Sequence, residues 1–133
     1  MRRVAQAGAV VLLGGCSLGA DEEPRPATGA AQEIASVVSR LERSSARHDW
    51  RTLCDELLSS AARGRAGGAD CARLLRSSGE GVRRPRIELL GIELKGERAR
   101  ARVRTSARGQ AALRDSIELV RERGEWRIEA LSG

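Results

Sequence analysis

The apolar positions change period along the chain, and the change divides it into a helical part and a strand part. Ile34, Val37, Val38 and Leu41 fall at i, i+3, i+4 and i+7, which is one face of an α-helix. Glu33, Arg40, Glu42 and Arg43 lie mostly off that stripe, so a helix is predicted from Gly29 to Arg47. A second helix is predicted from Asp49 or Trp50 to Ala62, with Trp50, Leu53, Cys54, Leu57 and Leu58 on its apolar face. Asp49 is placed to accept hydrogen bonds from the free amides at its start. Gly64, Gly67 and Gly68 end it in a loop. A short third helix is predicted over Ala69 to Ser77, with Asp70 at its start and Cys71, Leu74 and Leu75 facing inward.

From Arg83 onward the period is two. Ile87, Leu89 and Ile92 mark a first strand, and Gly91 is a candidate bulge. After the turn Lys95-Gly96-Glu97, Ala99, Ala101, Val103 and Thr105 alternate with Arg98, Arg100, Arg102 and Arg104. A turn over Ala107 to Gln110 leads to Leu113, Asp115, Ile117 and Leu119, alternating with Arg114, Ser116, Glu118 and Val120. Glu122 to Glu125 turn again, and Trp126, Ile128 and Ala130 form the apolar side of a last strand. Short turns imply antiparallel hairpins. Helices grouped before such strands predict an α+β fold, in which the helices cover one face of a four-stranded antiparallel sheet. The arginines occupy the other face.

The first residues read as an address. Met1-Arg2-Arg3 is positive, Val4 to Gly15 carries no charge, and Ala9 to Leu13 is strongly apolar. This is a signal-peptide pattern, and the run is far shorter than the roughly 20 apolar residues of a membrane span. Leu13-Gly14-Gly15-Cys16 resembles the lipobox of bacterial lipoproteins. That resemblance implies diacylglyceryl transfer to the Cys16 thiol and cleavage just before it. Residues 1–15 are then a leader, 16–28 the lipidated cysteine and a tether, and 29–133 a single domain. The alternative is an ordinary secretory signal with an accidental cysteine. Asp21-Glu22-Glu23-Pro24-Arg25-Pro26 suits an extended tether. The implied location is extracytoplasmic, on the membrane surface.

Three cysteines less the lipid-bearing Cys16 leave Cys54 and Cys71, 17 positions apart. Export reaches a compartment where disulfides persist, so a bridge is expected, worth roughly 3 kcal/mol. Two buried free thiols are the alternative. The chain has 133 residues, a formal charge of +6 and 41% apolar residues, which suits one folded domain. Loss of Arg2 and Arg3 with the leader would leave +4. The basic excess favours anionic headgroups near an anchor. Nucleic acid is not an expected partner of an exported chain with two aromatic residues, Trp50 and Trp126.

Asp49-Trp50-Arg51-Thr52-Leu53-Cys54, Gly68-Ala69-Asp70-Cys71 and Gly124-Glu125-Trp126-Arg127-Ile128-Glu129 carry a wider resemblance. Together they resemble small actinobacterial lipoproteins of the nuclear-transport-factor-two-like, or cystatin-like, superfamily. The resemblance spans roughly residues 30 to 131. It implies a long helix on a curved sheet, enclosing a conical pocket. Many members bind small molecules and some are ketosteroid isomerases, dehydratases or cyclases, with an acid or histidine base inside the cone.

The candidate bases here are His48, Asp49, Asp55 and Asp115. His48 reads as a connector, Asp49 as a cap and Asp55 as a residue of a wet helix face. Asp115 shares the covered face with Leu113, Ile117 and Leu119, and a covered acid needs a partner or a purpose. It is read as a residue at the sheet rim or as the partner of an arginine. The row Arg98, Arg100, Arg102 and Arg104 is read as a solvated face with cross-strand partners such as Glu88, Glu118 and Glu129. An anion-binding or partner surface is the alternative. Trp50 and Trp126 are read as core, with the lining of a ligand pocket as the alternative. One histidine and no CxxC motif leave no expected metal or redox site, and no cofactor is expected. The expected function is a non-catalytic envelope protein, monomer or homodimer. It would hold a small apolar ligand in the cone or an envelope protein on its sheet. A cyclase- or isomerase-like enzyme using Asp115 or His48 is the alternative.

Overall fold

The computed structural model describes residues 29–132. The leader, Cys16 and the tether therefore lie outside the described residues. The chain opens with helix α1 (Gly29–Ala46), which buries Ile34, Val37, Val38 and Leu41, the stripe read from the sequence. It reverses through His48, whose φ is +54°, and Asp49 N donates to Ser44 O at 2.8 Å. Asp49 then caps α2 (Trp50–Thr52), its carboxylate accepting from Thr52 N at 3.2 Å and Thr52 Oγ1 at 2.7 Å.

The second helix is not continuous to Ala62. After α2 the chain widens into a π-helical turn, Leu53–Leu57, and Leu58 is extended at φ −78°, ψ 146°. Tertiary pairing causes the break. Leu58 forms a parallel bridge with Ile128, and Ser59 N donates to Ile128 O at 2.9 Å. Ser59 is buried, and its hydroxyl oxygen accepts from Ala62 N at 3.0 Å, starting α3 (Ser60–Arg65). Helical periodicity cannot register such a break, because Leu57 and Leu58 are apolar in either conformation. A 3₁₀ turn (Gly68–Asp70) leads to α4 (Cys71–Gly79), which starts and ends two residues later than predicted. Leu74 does not face inward as expected but is 44% exposed. It lies over Gly67, where a Cβ would stand 2.4 Å from Leu74 Cδ1.

Four strands follow: β1 (Arg86–Lys95), β2 (Arg98–Ala107), β3 (Gln110–Glu122) and β4 (Glu125–Ser132). They pair antiparallel in chain order. The β3–β4 turn holds Arg123 and Gly124, both at positive φ, as a two-residue hairpin of matching twist requires. Two bulges set the side-chain phase. In β1, Leu89 pairs with Val103 but Gly91 pairs with Arg102. The extra residue, Leu90, lets Ile92 and Leu94 face the same side as Ile87 and Leu89, which strict alternation would forbid. In β4, Leu119 pairs with Ile128 but Glu118 pairs with Ala130. Leu131 rather than Ala130 therefore stands opposite Ile117, and Ala130 is exposed, contrary to the plain alternation read from the sequence.

The core forms where α1, Trp50, Leu53 and Leu57 meet Ala99, Ala101, Val103, Ile117, Leu119, Trp126 and Ile128. Cys54 and Cys71 form a disulfide with Cα atoms 6.1 Å apart, tying the π-turn to α4.

Two carboxylates pin helix starts. Glu122 of β3 accepts from Ser60 N at 3.1 Å and from its hydroxyl. The Ser60 and Thr52 hydrogen bonds hold the Glu122 and Asp49 carboxyls below the usual carboxylate range. A lowered folded value contributes stability that is present above the unfolded value and lost as pH falls through the folded one. Glu122→Gln is therefore expected to be less stable than the parent at pH 6, with the gap closing below about pH 4. Urea unfolding at both pH values checks this; a gap independent of pH would contradict it.

Candidate functional site

The chain has no Phe and no Tyr, and the inner face of its sheet is built largely from alanine and β-branched residues. Such side chains do not fill the space between helices and sheet at native packing density. A cavity of about 700 Å³ lies there. Its floor is core: Leu41, Trp50, Leu53, Val103, Ile117 and Ile128, all buried. Leu58 and Ala62 line one wall, and Leu75, Gly79, Val82 and Ile87 line others. Leu113 and Leu131 also line it and are 63% and 65% exposed, so the cavity opens to solvent beside them. Leu113 was expected on the covered face. It stands at the end of that face which no helix covers.

The polar lining is sparse. Asp115 lies within β3, opposite Val103, and it is half-buried. It is neither at a strand end nor paired with an arginine, as the sequence suggested. Thr105 Oγ1 instead donates to Asp115 Oδ2 at 2.6 Å. Arg65 is on the lining too, but its guanidinium donates to Glu129 O at 2.5 Å and lies 3.4 Å from the Glu129 carboxylate. Glu129 is the extra residue of the β4 bulge, and its carboxylate also accepts from Ser59 Oγ at 2.5 Å. The bulge, Ser59 and Arg65 thus lock α3 against β4 and fix one wall of the cavity.

The other candidates separate. Trp50 lines the cavity and packs so tightly on Gly79 that a Cβ there would stand 2.4 Å from Trp50 Cη2. Trp126 does not line it. It is buried under Arg121, whose guanidinium carbon is 5.8 Å from the ring centroid. Its buried indole N–H has no hydrogen-bond partner among the described residues. His48 is exposed, stacks on Trp50 with ring centroids 5.5 Å apart, and its Nε2 is 3.2 Å from Val82 O. It is not on the cavity lining. Asp55 is exposed and pairs with Arg63 at 3.0 Å.

The arginine row lies on the outer face of the sheet. Arg100 Nε donates to Glu118 Oε1 at 2.7 Å, and Arg102 Nε lies 3.9 Å from Glu93. Glu88 and Glu129 do not serve as partners: Glu129 is held by Ser59 and Arg65, and Glu88 forms no ion pair among the described residues. Arg98 and Arg104 form none either. Sequence reasoning missed Leu58, Ala62 and Arg65 as cavity wall, because it ran one helix through the break that turns them inward. Among the described residues no three His, Cys, Asp or Glu side chains are grouped to hold a metal. No described helix is long and apolar enough to cross a membrane.

No protein-family model matches the sequence, and no curated protein is similar to it. Solved structures share its fold. An NTF2-like protein of unknown function from Shewanella baltica superposes with a TM-score of 0.57 at 16% identity, over 80% of this chain and 94% of that one. A SEC-C motif containing protein from Rhodopseudomonas palustris gives 0.54 at 17% identity, over 74% of this chain and 76% of that one. A de novo designed NTF2 fold protein gives 0.51 at 19% identity, over 74% and 83%. The fold is the nuclear-transport-factor-two-like α+β cone, with an unclosed four-stranded sheet.

Proposed function

We propose that the chain is a lipid-anchored, extracytoplasmic, non-catalytic binding protein of the cell envelope, and that it holds a small, mostly apolar molecule in its cone. The observation that carries this reading is the cavity of about 700 Å³, floored by core side chains and open beside Leu113 and Leu131. Small-molecule sites occupy roughly 300–1,000 Å³ and combine an apolar lining with a few placed polar groups. Asp115 and Thr105 supply such groups. The anchoring half of the reading rests on Leu13-Gly14-Gly15-Cys16. The Cys54–Cys71 disulfide supports an oxidising compartment.

The isomerase- or cyclase-like alternative needs a base in the cavity with reach to a proton. Asp115 meets the first condition, and His48 is on the surface. Asp115 has a threonine hydroxyl for its neighbour, and no tyrosine exists to polarise a substrate from the opposite side. Binding without turnover is therefore the better-supported reading.

Native mass spectrometry of the full-length protein, extracted gently from its own membrane, tests both halves. The expected mass is that of residues 16–133 with a diacylglyceryl addition, plus a reproducible further mass that denaturation removes. A bare lipidated mass would overturn the ligand and direct attention to a protein partner on the arginine face. An unlipidated chain would overturn the anchor.

A further inference from the structure

This inference rests on the cavity being a binding site, and it concerns the chemistry of the occupant. The antiparallel register places Thr105 opposite Leu113, and Asp115 opposite Val103, on the inner face of the sheet. Threonine has one hydroxyl proton, and Thr105 gives it to Asp115 Oδ2. The pair is then left with acceptors alone: the lone pairs of Asp115 Oδ1 and those of the threonine oxygen. No side-chain donor among the described residues is bonded to either. A carboxylate beside apolar walls gains most from a charged donor, because charge-assisted hydrogen bonds are about twice as strong as neutral ones.

Two cations also belong to the lining, Arg65 and Arg86. Arg65 is occupied by Glu129. Arg86 forms no ion pair among the described residues; in the β1–β2 register it stands opposite Ser106, at the start of β1 and one position out of phase with the inward pair Ile87–Thr105. We infer that the cavity takes a cationic amphiphile, its apolar body against Trp50, Leu53 and Ile128 and its ammonium group donating to Asp115 and Thr105. The formal charge of the whole chain is +6, so long-range attraction favours anions. A preference for a cation would therefore originate inside the cavity.

Three probes with one ring and different heads test the assignment: cyclohexylmethylammonium, cyclohexylmethanol and cyclohexanecarboxylate. They are titrated by calorimetry at pH 7 into the full-length chain held in phospholipid nanodiscs, with empty discs subtracted. The ammonium probe is expected to bind at least about tenfold more tightly than the carboxylate, with the alcohol between them. Asp115→Asn is expected to weaken the ammonium probe about tenfold and to leave the alcohol within about threefold. Retained alcohol binding shows that the variant is folded. Equal affinities, a tighter carboxylate, or an unchanged ammonium affinity in Asp115→Asn would overturn the cationic occupant while leaving the cavity a binding site. Binding of none of the three would overturn both.

Discussion

Replacing Cys54 and Cys71 together by alanine is expected to lower the stability of the folded domain by about 3 kcal/mol. The bridge closes a loop of 17 positions, and that loop contains α3, three glycines and the 3₁₀ turn. An unfolded chain without the bridge gains the freedom of all of it. Both residues are buried, 2% and 1% exposed, so alanine also removes a little packing, while serine would add unpaired hydroxyls. For a domain of this size the loss corresponds to roughly 10–20 °C in melting temperature. Thermal unfolding of the double variant, and of the parent with and without a reducing thiol, measures it. Reduction should reproduce most of the loss. A double variant within about 1 kcal/mol of the parent would mean that helix packing alone holds α4 in place.

Trp50→Ala is expected to cost about 3–5 kcal/mol, the usual range for deleting a buried aromatic ring. Trp50 is 7% exposed. It meets α4 at Gly79, carries His48 on its outer side and forms part of the cavity floor. Its removal would join the existing cavity to the space the ring leaves, so little collapse can offset the loss. Trp50→Phe should retain well over half of the stability difference, since a six-membered ring still fills the contact with Gly79. Denaturant unfolding of the two variants checks the order. Equal losses would assign the effect to the indole nitrogen rather than to packing.

Much of this architecture was legible in the sequence, and the failures share a cause. The stripe of α1, the alternation of β2 and the bulge at Gly91 are local patterns. Each is written in the spacing of neighbouring residues, and each is present in the fold. The break at Leu58, the outward turn of Leu74 and the phase change at Glu129 are set by contacts between segments far apart in sequence. Leu58 leaves the helix because Ile128 offers a bridge, 70 positions later. The site followed the same division. Asp115 stood out because an acid interrupts an apolar face, which is a local signal. The charge pattern of the sequence points to an arginine as its partner. The structure supplies Thr105 instead, a residue that alternation places on the same face but that carries no charge to draw notice. Trp50 and Trp126 looked alike in composition, and only their places in the fold distinguish cavity floor from closed core.

Two of the hydrogen bonds that reach the outer strands from outside have a consequence for self-association. Outer strands expose unpaired backbone groups that can recruit a strand from another molecule. On the β1 side, Ile87 N is taken by the Glu42 carboxylate at 2.7 Å. On the β4 side, Ile128 O is taken by Ser59 N. A second copy adding a strand would have to displace one of these contacts before gaining a ladder. This guards against edge-to-edge polymerisation. Encounters between copies are left to side chains, and the most exposed of the large apolar ones among the described residues are Leu113 and Leu131 at the cavity mouth.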